Sequence, residues 1–495
     1  MTTATPGPEA AVDAPAIPVQ SRADRARALL PTSRRASGDG AAARPGRAPG
    51  PRGPYEMVRN LRRLQSCAPL LFQDLHRSYG DVVRLPLGPY LTHLNLHPDG
   101  VRHVLQDNNR NYVRGKMYER FKIFFGIGLL TTDGEEWRVR RRRVNPLFHQ
   151  TAIAGMATAM TDATSVVLDR WERSAAERTP VDVVPEMMDL SLGALGHIIF
   201  GTDLWPSAPR VAPAMAVSLE AMIFKGTASQ MTPDRIPTRY NRTIADARGV
   251  IDEAVRAIVA EHRREGRDAP ADLVDLLLHA QASEDGDEPL SDDLVHDEMR
   301  TIFMAGHETT GTGLAWALHE LAWHEEVQER AAAEVAEVLG DRVPTVEDVR
   351  KLTYVRMVVD ETLRLHPPIW LYPRDAVEDD EIGGYRIPAG THVFQVPFVT
   401  HRHPDLWERP TSFEPDRFAP DATAQRPRFA YFPFGGGQRQ CIGNQMALLQ
   451  TTLTLAMVLQ RFRLDPTPGR PPELGTLVSL RPLTGLPLAV SERSP

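Results

Sequence analysis

Phe434-Gly435-Gly436-Gly437-Gln438-Arg439-Gln440-Cys441-Ile442-Gly443, near the end of the chain, sets one cysteine at a glycine-rich turn. Glycine backbones turn tightly and approach a flat ligand where a Cβ would collide. The apolar stretch that follows, residues 444–459, reads as a helix whose first amides and dipole face the sulfur. Such a setting favours the thiolate, the form of cysteine that ligates metals. Arg439, two residues before the cysteine, can reach a carboxylate at the edge of a flat ligand.

The spacing FxxGxRxCxG fixes five positions and would arise by chance in roughly one chain in ten thousand of this length. On these residues the chain resembles the cytochrome P450 family, from about Pro54 to the C-terminus. The resemblance implies a mainly α fold with a small β-rich region and haem b as cofactor. It implies Cys441 as the axial iron ligand, with Phe434, Gly437 and Gly443 shaping the ligand loop.

Composition agrees with one large catalytic domain, residues 54–495, because no second compositional block follows the cysteine motif. Residues 1–53 are rich in Ala, Pro, Gly and Arg, and their low hydrophobicity predicts a disordered extension. The chain has 42% hydrophobic and 24% charged residues, as in soluble globular proteins, and its net charge of -7 gives no reason to expect nucleic acid. The N-terminal segment has neither a signal-peptide core nor the run of about 18 apolar residues that a membrane span needs. Two cysteines, Cys67 and Cys441, rule out a disulfide framework, so a cytoplasmic monomer is expected, with Cys67 a packing residue.

Local patterns give a coarse map. Residues 81–96 read as a hairpin about a Gly88-Pro89 turn, and residues 393–398 as a further extended run. Ile244, Ile251, Val255 and Ile258 recur at helical spacing in a segment that Gly266 ends. An acidic loop, residues 283–288, precedes the longest helix candidate, which Ser291 can cap.

That helix carries Ala305-Gly306-His307-Glu308-Thr309-Thr310. A glycine inside a helix costs up to about 1 kcal/mol relative to alanine, so Gly306 needs a reason such as close approach of a ligand. The resemblance implies that Ala305 and Gly306 border the distal haem face at a distorted turn. There Glu308 draws protons from solvent and Thr309 passes them on during dioxygen activation. Glu361-Thr362-Leu363-Arg364 places opposite charges at i, i+3. The family pattern buries this pair and joins it to a later arginine, here Arg417 in Pro415-Asp416-Arg417-Phe418, as a structural network beneath the ligand loop. Trp137 and Arg141 match the family's WxxxR helix and, with Arg374 and Arg439, are the implied partners of the haem propionates. Within the arginine run, Arg141 is expected to turn inward and Arg138, Arg142 and Arg143 outward.

The family's pocket elements map onto Phe121, Phe124, Phe125, Ile127 and Leu129, onto Met222 and Phe224, and onto Phe303 and Ala305. They map further onto Ile369, Trp370 and Leu371, and onto the turn that holds Leu483 and Thr484. Nearly all are apolar, which implies a bulky hydrophobic substrate. The expected activity is a monooxygenase that uses O2 to hydroxylate or epoxidise a terpenoid, polyketide-derived or fatty-acyl compound in secondary metabolism. No flavin or nicotinamide domain follows the haem region. Electrons from NAD(P)H are therefore expected through a separate ferredoxin reductase and a ferredoxin that docks on residues 138–143. A peroxide-using haem-thiolate enzyme and a non-catalytic haem-thiolate sensor are the alternatives.

Overall fold

The computed structural model describes residues 46–87, 90–227, 236–266, 272–282, 290–469, 471–476 and 478–493. The expected Gly88-Pro89 turn, the acidic loop 283–288 and residues 1–45 of the N-terminal segment lie outside them.

The fold is mainly α, built around the helix Asp292–Trp323. Ser291 caps it by accepting the Leu294 N–H at 3.3 Å, and Asp292 and Asp293 place negative charge in the first turn, where the helix dipole favours it. Apolar residues surround this helix on nearly every side, the pattern of a helix that runs through a core. It lies close against the helix Val183–Ile199 because two glycines allow it. A Cβ on Gly306 would come 2.8 Å from Leu195 Cδ1, and one on Gly311 2.9 Å from the Met187 carbonyl oxygen. The space beside Gly306 is thus filled by Leu195, not reserved for a ligand. The helix also runs unbroken through this turn, where the Ser191 hydroxyl donates to the His307 carbonyl at 2.8 Å.

The expected hairpin is present as β1, Val82–Leu87, and β2, Tyr90–Asn95. With β3, Tyr112–Val113, β4, Tyr372–Ala376, and β5, His392–Gln395, it forms a sheet in the order β1-β2-β5-β4-β3. Only the β2–β5 pair is parallel within it. Leu85, Leu94 and Phe394 pack with Leu71 and Phe72 of the helix Pro54–Tyr79. The extended run expected over residues 393–398 stops at Gln395, and Pro397 opens a helical turn, Pro397–Thr400, because its fixed φ suits a first helical position.

Residues 46–53 depart from the expected disorder. Ala48 is buried, the Arg84 N–H donates to the Pro49 carbonyl at 2.7 Å, and Gly46 forms a bridge with Tyr385. Backbone pairing, which composition does not register, holds this segment, so residues 46–53 belong to the packed domain that was expected to begin at Pro54. Cys67 lies inside the helix Pro54–Tyr79, at a kink two residues before Pro69. Burial pushes its thiol up, as suits a packing residue. The helix Arg239–Glu265 ends at Gly266, whose φ of 58° is left-handed. The stretch Gln150–Glu177 is long and apolar enough to cross a membrane, but half of its apolar window is buried within the fold, as in a core helix.

The helix Thr353–Leu365 carries the expected ion pair in full burial. Arg364 grips both oxygens of Glu361, at 2.6 and 2.8 Å, and donates to the carbonyls of His401, Pro410 and Ser412 at 2.7–2.9 Å. Arg417 approaches Glu361 at 3.4 Å and bonds Glu414 at 2.8 Å, and the Glu414 N–H donates to Glu361. Burial raises the Glu361 carboxyl's pKa, and the arginines pull it back. Arg364→Lys keeps the charge but supplies three donors instead of five. It is expected to destabilise the fold by about 1–3 kcal/mol, the cost of leaving a buried acceptor unmet, measured by urea unfolding of the holoprotein.

Candidate active site

The loop before the helix Asn444–Arg461 is closed by the Cys441 N–H, which donates to the Phe434 carbonyl at 2.9 Å. Gly435 and Gly437 take φ values of 69° and 65°, which residues with a Cβ rarely adopt. A Cβ on Gly437 would overlap the Leu105 carbonyl, and one on Gly436 the Phe429 ring. These two glycines therefore seat the loop against protein neighbours rather than against a flat ligand. Burial raises the Cys441 thiol above its usual range, and the Gly443 amide and Arg141 pull it back. The expected helix-terminus amide is in place, but desolvation outweighs it. Cys441 lies deep in the fold and is nevertheless exposed, as is Ala305 on the otherwise buried central helix. Each borders an internal opening.

A group of buried cations stands near that loop. Arg439 donates to the Thr132 carbonyl at 2.6 Å, pairs with Asp133 and stacks 4.1 Å from the Trp137 ring. Burial lowers its pKa to about 9, with repulsion from Arg114 and Arg374 adding to the effect. Arg374, also desolvated and close to Arg114, falls to about 10. Arg439 Nη1 and Arg114 Nε are buried without a hydrogen-bond partner. Arg374 and Arg439 thus share one carboxylate, Asp133, which also accepts the Arg114 backbone N–H at 2.8 Å, and the Arg114 guanidinium, 4.4 Å from the Tyr118 ring, stands close to both. A ligand with two carboxylates would complete this set, and a haem with its two propionates fits.

Arg114 has no motif around it and was not foreseen. Arg141, expected in this group, instead lies beside Cys441 and donates to the Gln440 carbonyl at 3.1 Å. On its helix, Gly134–Val144, the arginine turned fully inward is Arg140. It bonds Glu298 of the central helix at 2.8 Å and Glu136 at 2.9 Å.

Glu308 and Thr309 point to different partners. Glu308 is buried, not open to solvent as expected, and accepts the Ser479 hydroxyl at 2.6 Å. Burial raises its pKa, against the pull of Ser479 and Arg481. Thr309 is half-buried and donates to Ala305 O within its own helix at 3.0 Å.

Several expected pocket residues are core residues. Phe303 is fully buried against Phe200, ring centroids 5.5 Å apart, and Trp370 packs on Phe72 at 6.1 Å. Phe124, Phe125, Leu129 and Met222 are also in the buried core. Phe121, Ile369 and Leu371 are half-buried, while Ile127, Leu483 and Thr484 are exposed. The Phe224 side chain lies outside the described residues.

Residues 49–485 match the sequence pattern of the family described as cytochrome P450. A cyclooctatin synthase of Streptomyces melanosporofaciens is 34% identical over 82% of this chain and 88% of its own length. A cyclooctat-9-en-7-ol 5-monooxygenase of the same organism is 35% identical over 81% and 86%. The pentalenene oxygenase of Streptomyces avermitilis is 30% identical over 86% and 94%. The crystal structure of the cytochrome P450DA haem domain superposes with a TM-score of 0.83 at 28% identity, covering 92% of this chain and 99% of that one. A glycine-rich cysteine loop, an ExxR network and a long central helix are thus joined to a match along most of the sequence. The chain belongs to the cytochrome P450 family, and it is a cytochrome P450 monooxygenase.

Arg114→Leu removes one of three mutually repelling cations and one candidate propionate partner. The variant is expected to lose haem several-fold more readily on gel filtration, read as the ratio of Soret to protein absorbance. Its haem-free form should unfold at the same or a higher temperature than the unaltered haem-free chain.

Proposed function

We propose that this enzyme oxidises a cyclic terpene hydrocarbon or a terpenoid alcohol in the biosynthesis of a secondary metabolite. The observation that carries this reading is the match, over more than four-fifths of the chain, to two relatives named for cyclooctatin chemistry, with a pentalenene oxygenase close behind.

Haem b, when bound, supplies the iron that activates O2 with two electrons drawn from NAD(P)H. Cys441 would hold it as its thiolate ligand, and Arg114, Arg374 and Arg439 would donate to its propionates. Thr309 can turn its hydroxyl from Ala305 O toward the opening, and Glu308, one residue before it, stores the proton that the relay delivers.

Two electrons delivered one at a time call for a small carrier, and a ferredoxin served by its reductase is the proposed source. Its docking face is the exposed side of the helix Gly134–Val144, where Arg138 and Arg142 are exposed. Arg138 is paired with Glu135 at 2.7 Å, so its local field is partly cancelled. Arg138→Glu is therefore expected to slow the first electron transfer by several-fold at low salt, with the difference shrinking as salt screens the field. An equal rate across the salt series places the dock elsewhere.

The function itself is tested by titrating the ferric enzyme with pentalenene and related cyclic terpenes, following the Soret band, then scoring oxygenated product by mass spectrometry. Thr309→Ala should leave haem content intact and lower product per NADPH consumed by about tenfold, with peroxide rising in its place. An unchanged ratio removes Thr309 from the relay.

A further inference from the structure

Glu308 and Thr309 are neighbours in sequence, yet the Glu308 carboxyl group is held from the far end of the chain. Ser479 and Glu308 are 1% and 5% exposed and meet at 2.6 Å. The chain directly after Ser479 is fixed by three contacts that do not involve Glu308. The Trp316 indole N–H donates to the Leu480 carbonyl at 2.8 Å, and the Leu480 N–H donates to the Pro368 carbonyl at 2.9 Å. Leu480–Pro482 pairs with Leu474–Thr476 in a two-stranded ribbon. The hydroxyl is thus presented on a rigid frame, as precise placement of a functional group requires. Among the described residues the carboxyl group faces this hydroxyl and, farther off, the Arg481 guanidinium. His307, beside it in sequence, turns to the Met188 backbone.

We propose that Ser479 is a positioning residue for the oxidation, a latch that parks the Glu308 carboxyl group away from Thr309 until its proton is needed. The proposal rests on the reading of Glu308 and Thr309 as the proton relay. The protonated carboxyl group leaves the Ser479 hydroxyl, gives its proton on the Thr309 side and becomes a carboxylate. The carboxylate then returns to accept the Ser479 O–H and takes up a proton from the bulk solvent, so Ser479 keeps its own proton throughout. A hydrogen bond to the charged form favours that form. Removing the latch therefore leaves Glu308 protonated to higher pH and free to face Thr309 at rest.

The frame also has a consequence for timing. Pro368 immediately precedes Ile369, and Pro482 precedes Leu483 and Thr484, so the segments that pin Ser479 continue into residues proposed to border the substrate. Contacts made there act on the acid through two backbone links.

The test compares Ser479→Val with Ser479→Thr in the full-length holoenzyme, since the two side chains share a shape and differ by one hydroxyl. The Glu308 carboxyl stretch is followed by infrared spectroscopy of the ferric enzyme across pH, assigned by its loss in Glu308→Gln. Peroxide released per NADPH consumed is measured with O2 and a surrogate ferredoxin and reductase. Ser479→Val is expected to move the midpoint of the carboxyl band to higher pH, to a proton concentration at least tenfold lower. It should change the peroxide ratio at least twofold, with haem content and the carbonyl-complex Soret band unaltered, and Ser479→Thr should restore both. If Ser479→Val keeps the wild-type midpoint and ratio while Glu308→Gln alters the ratio, Ser479 has no such role and the relay stands. If Glu308→Gln leaves the ratio unchanged, the relay reading fails and the latch with it.

Discussion

Arg364 carries the constraint on which the site depends. A guanidinium group with no exposure to water is costly to bury, and the cost is offset only when every N–H is met. Here all five are, by Glu361 and by three carbonyls between His401 and Ser412. The consequence reaches Cys441 step by step. His401, whose carbonyl Arg364 binds, accepts the Phe432 N–H on its ring at 2.9 Å. Phe432 O then receives the Gly435 N–H, and Phe434 O the Cys441 N–H, each at 2.9 Å. Burial and the nearby Arg364 and Arg402 hold the His401 ring well below its usual pKa, so it stays neutral and keeps accepting. A charge pair on one helix thereby sets the position of a sulfur some eighty residues away in sequence.

The central helix is located by a different kind of force. Near its start, the buried pair Arg140–Glu298 ties it to the helix Gly134–Val144, and Glu298 also accepts the Leu129 N–H at 3.0 Å. At its middle, Gly306 and Gly311 let it rest directly on Leu195 and Met187. One end is held by directional bonds and the middle by close packing, which leaves Ala305 and Thr309 on the side that is not covered.

What could be read from the sequence was local. The hairpin, the Ser291 cap, the Gly266 stop, the Glu361–Arg364 pair and the cysteine loop each depend on residues within a few positions of one another. Arg114, Arg140 and Ser479 were missed because their partners lie 158 or more residues away, as with Arg140–Glu298 and Ser479–Glu308, or belong to a cluster that only folding assembles. Glycines misled in a specific way. Gly306 and Gly437 do mark close approach, but the approaching atoms are Leu195 and Leu105, and a glycine says nothing of which group arrives. Phe303 and Trp370 misled because an apolar side chain suits a core as well as a cavity, and a helix apolar all round gives no face to choose between them.

The arginine cluster bears on how much of this protein exists in folded form. Arg114, Arg374 and Arg439 repel one another in a desolvated setting with a single carboxylate among them. Folding without two further anions must therefore work against that repulsion, while a dianionic cofactor that binds only the folded chain stabilises it by mass action, by about RT ln(1 + [L]/Kd). Cofactor loading and folding are then one equilibrium. In a cell short of haem the steady-state level of the enzyme would fall through proteolysis of the unliganded chain, with no change in its synthesis.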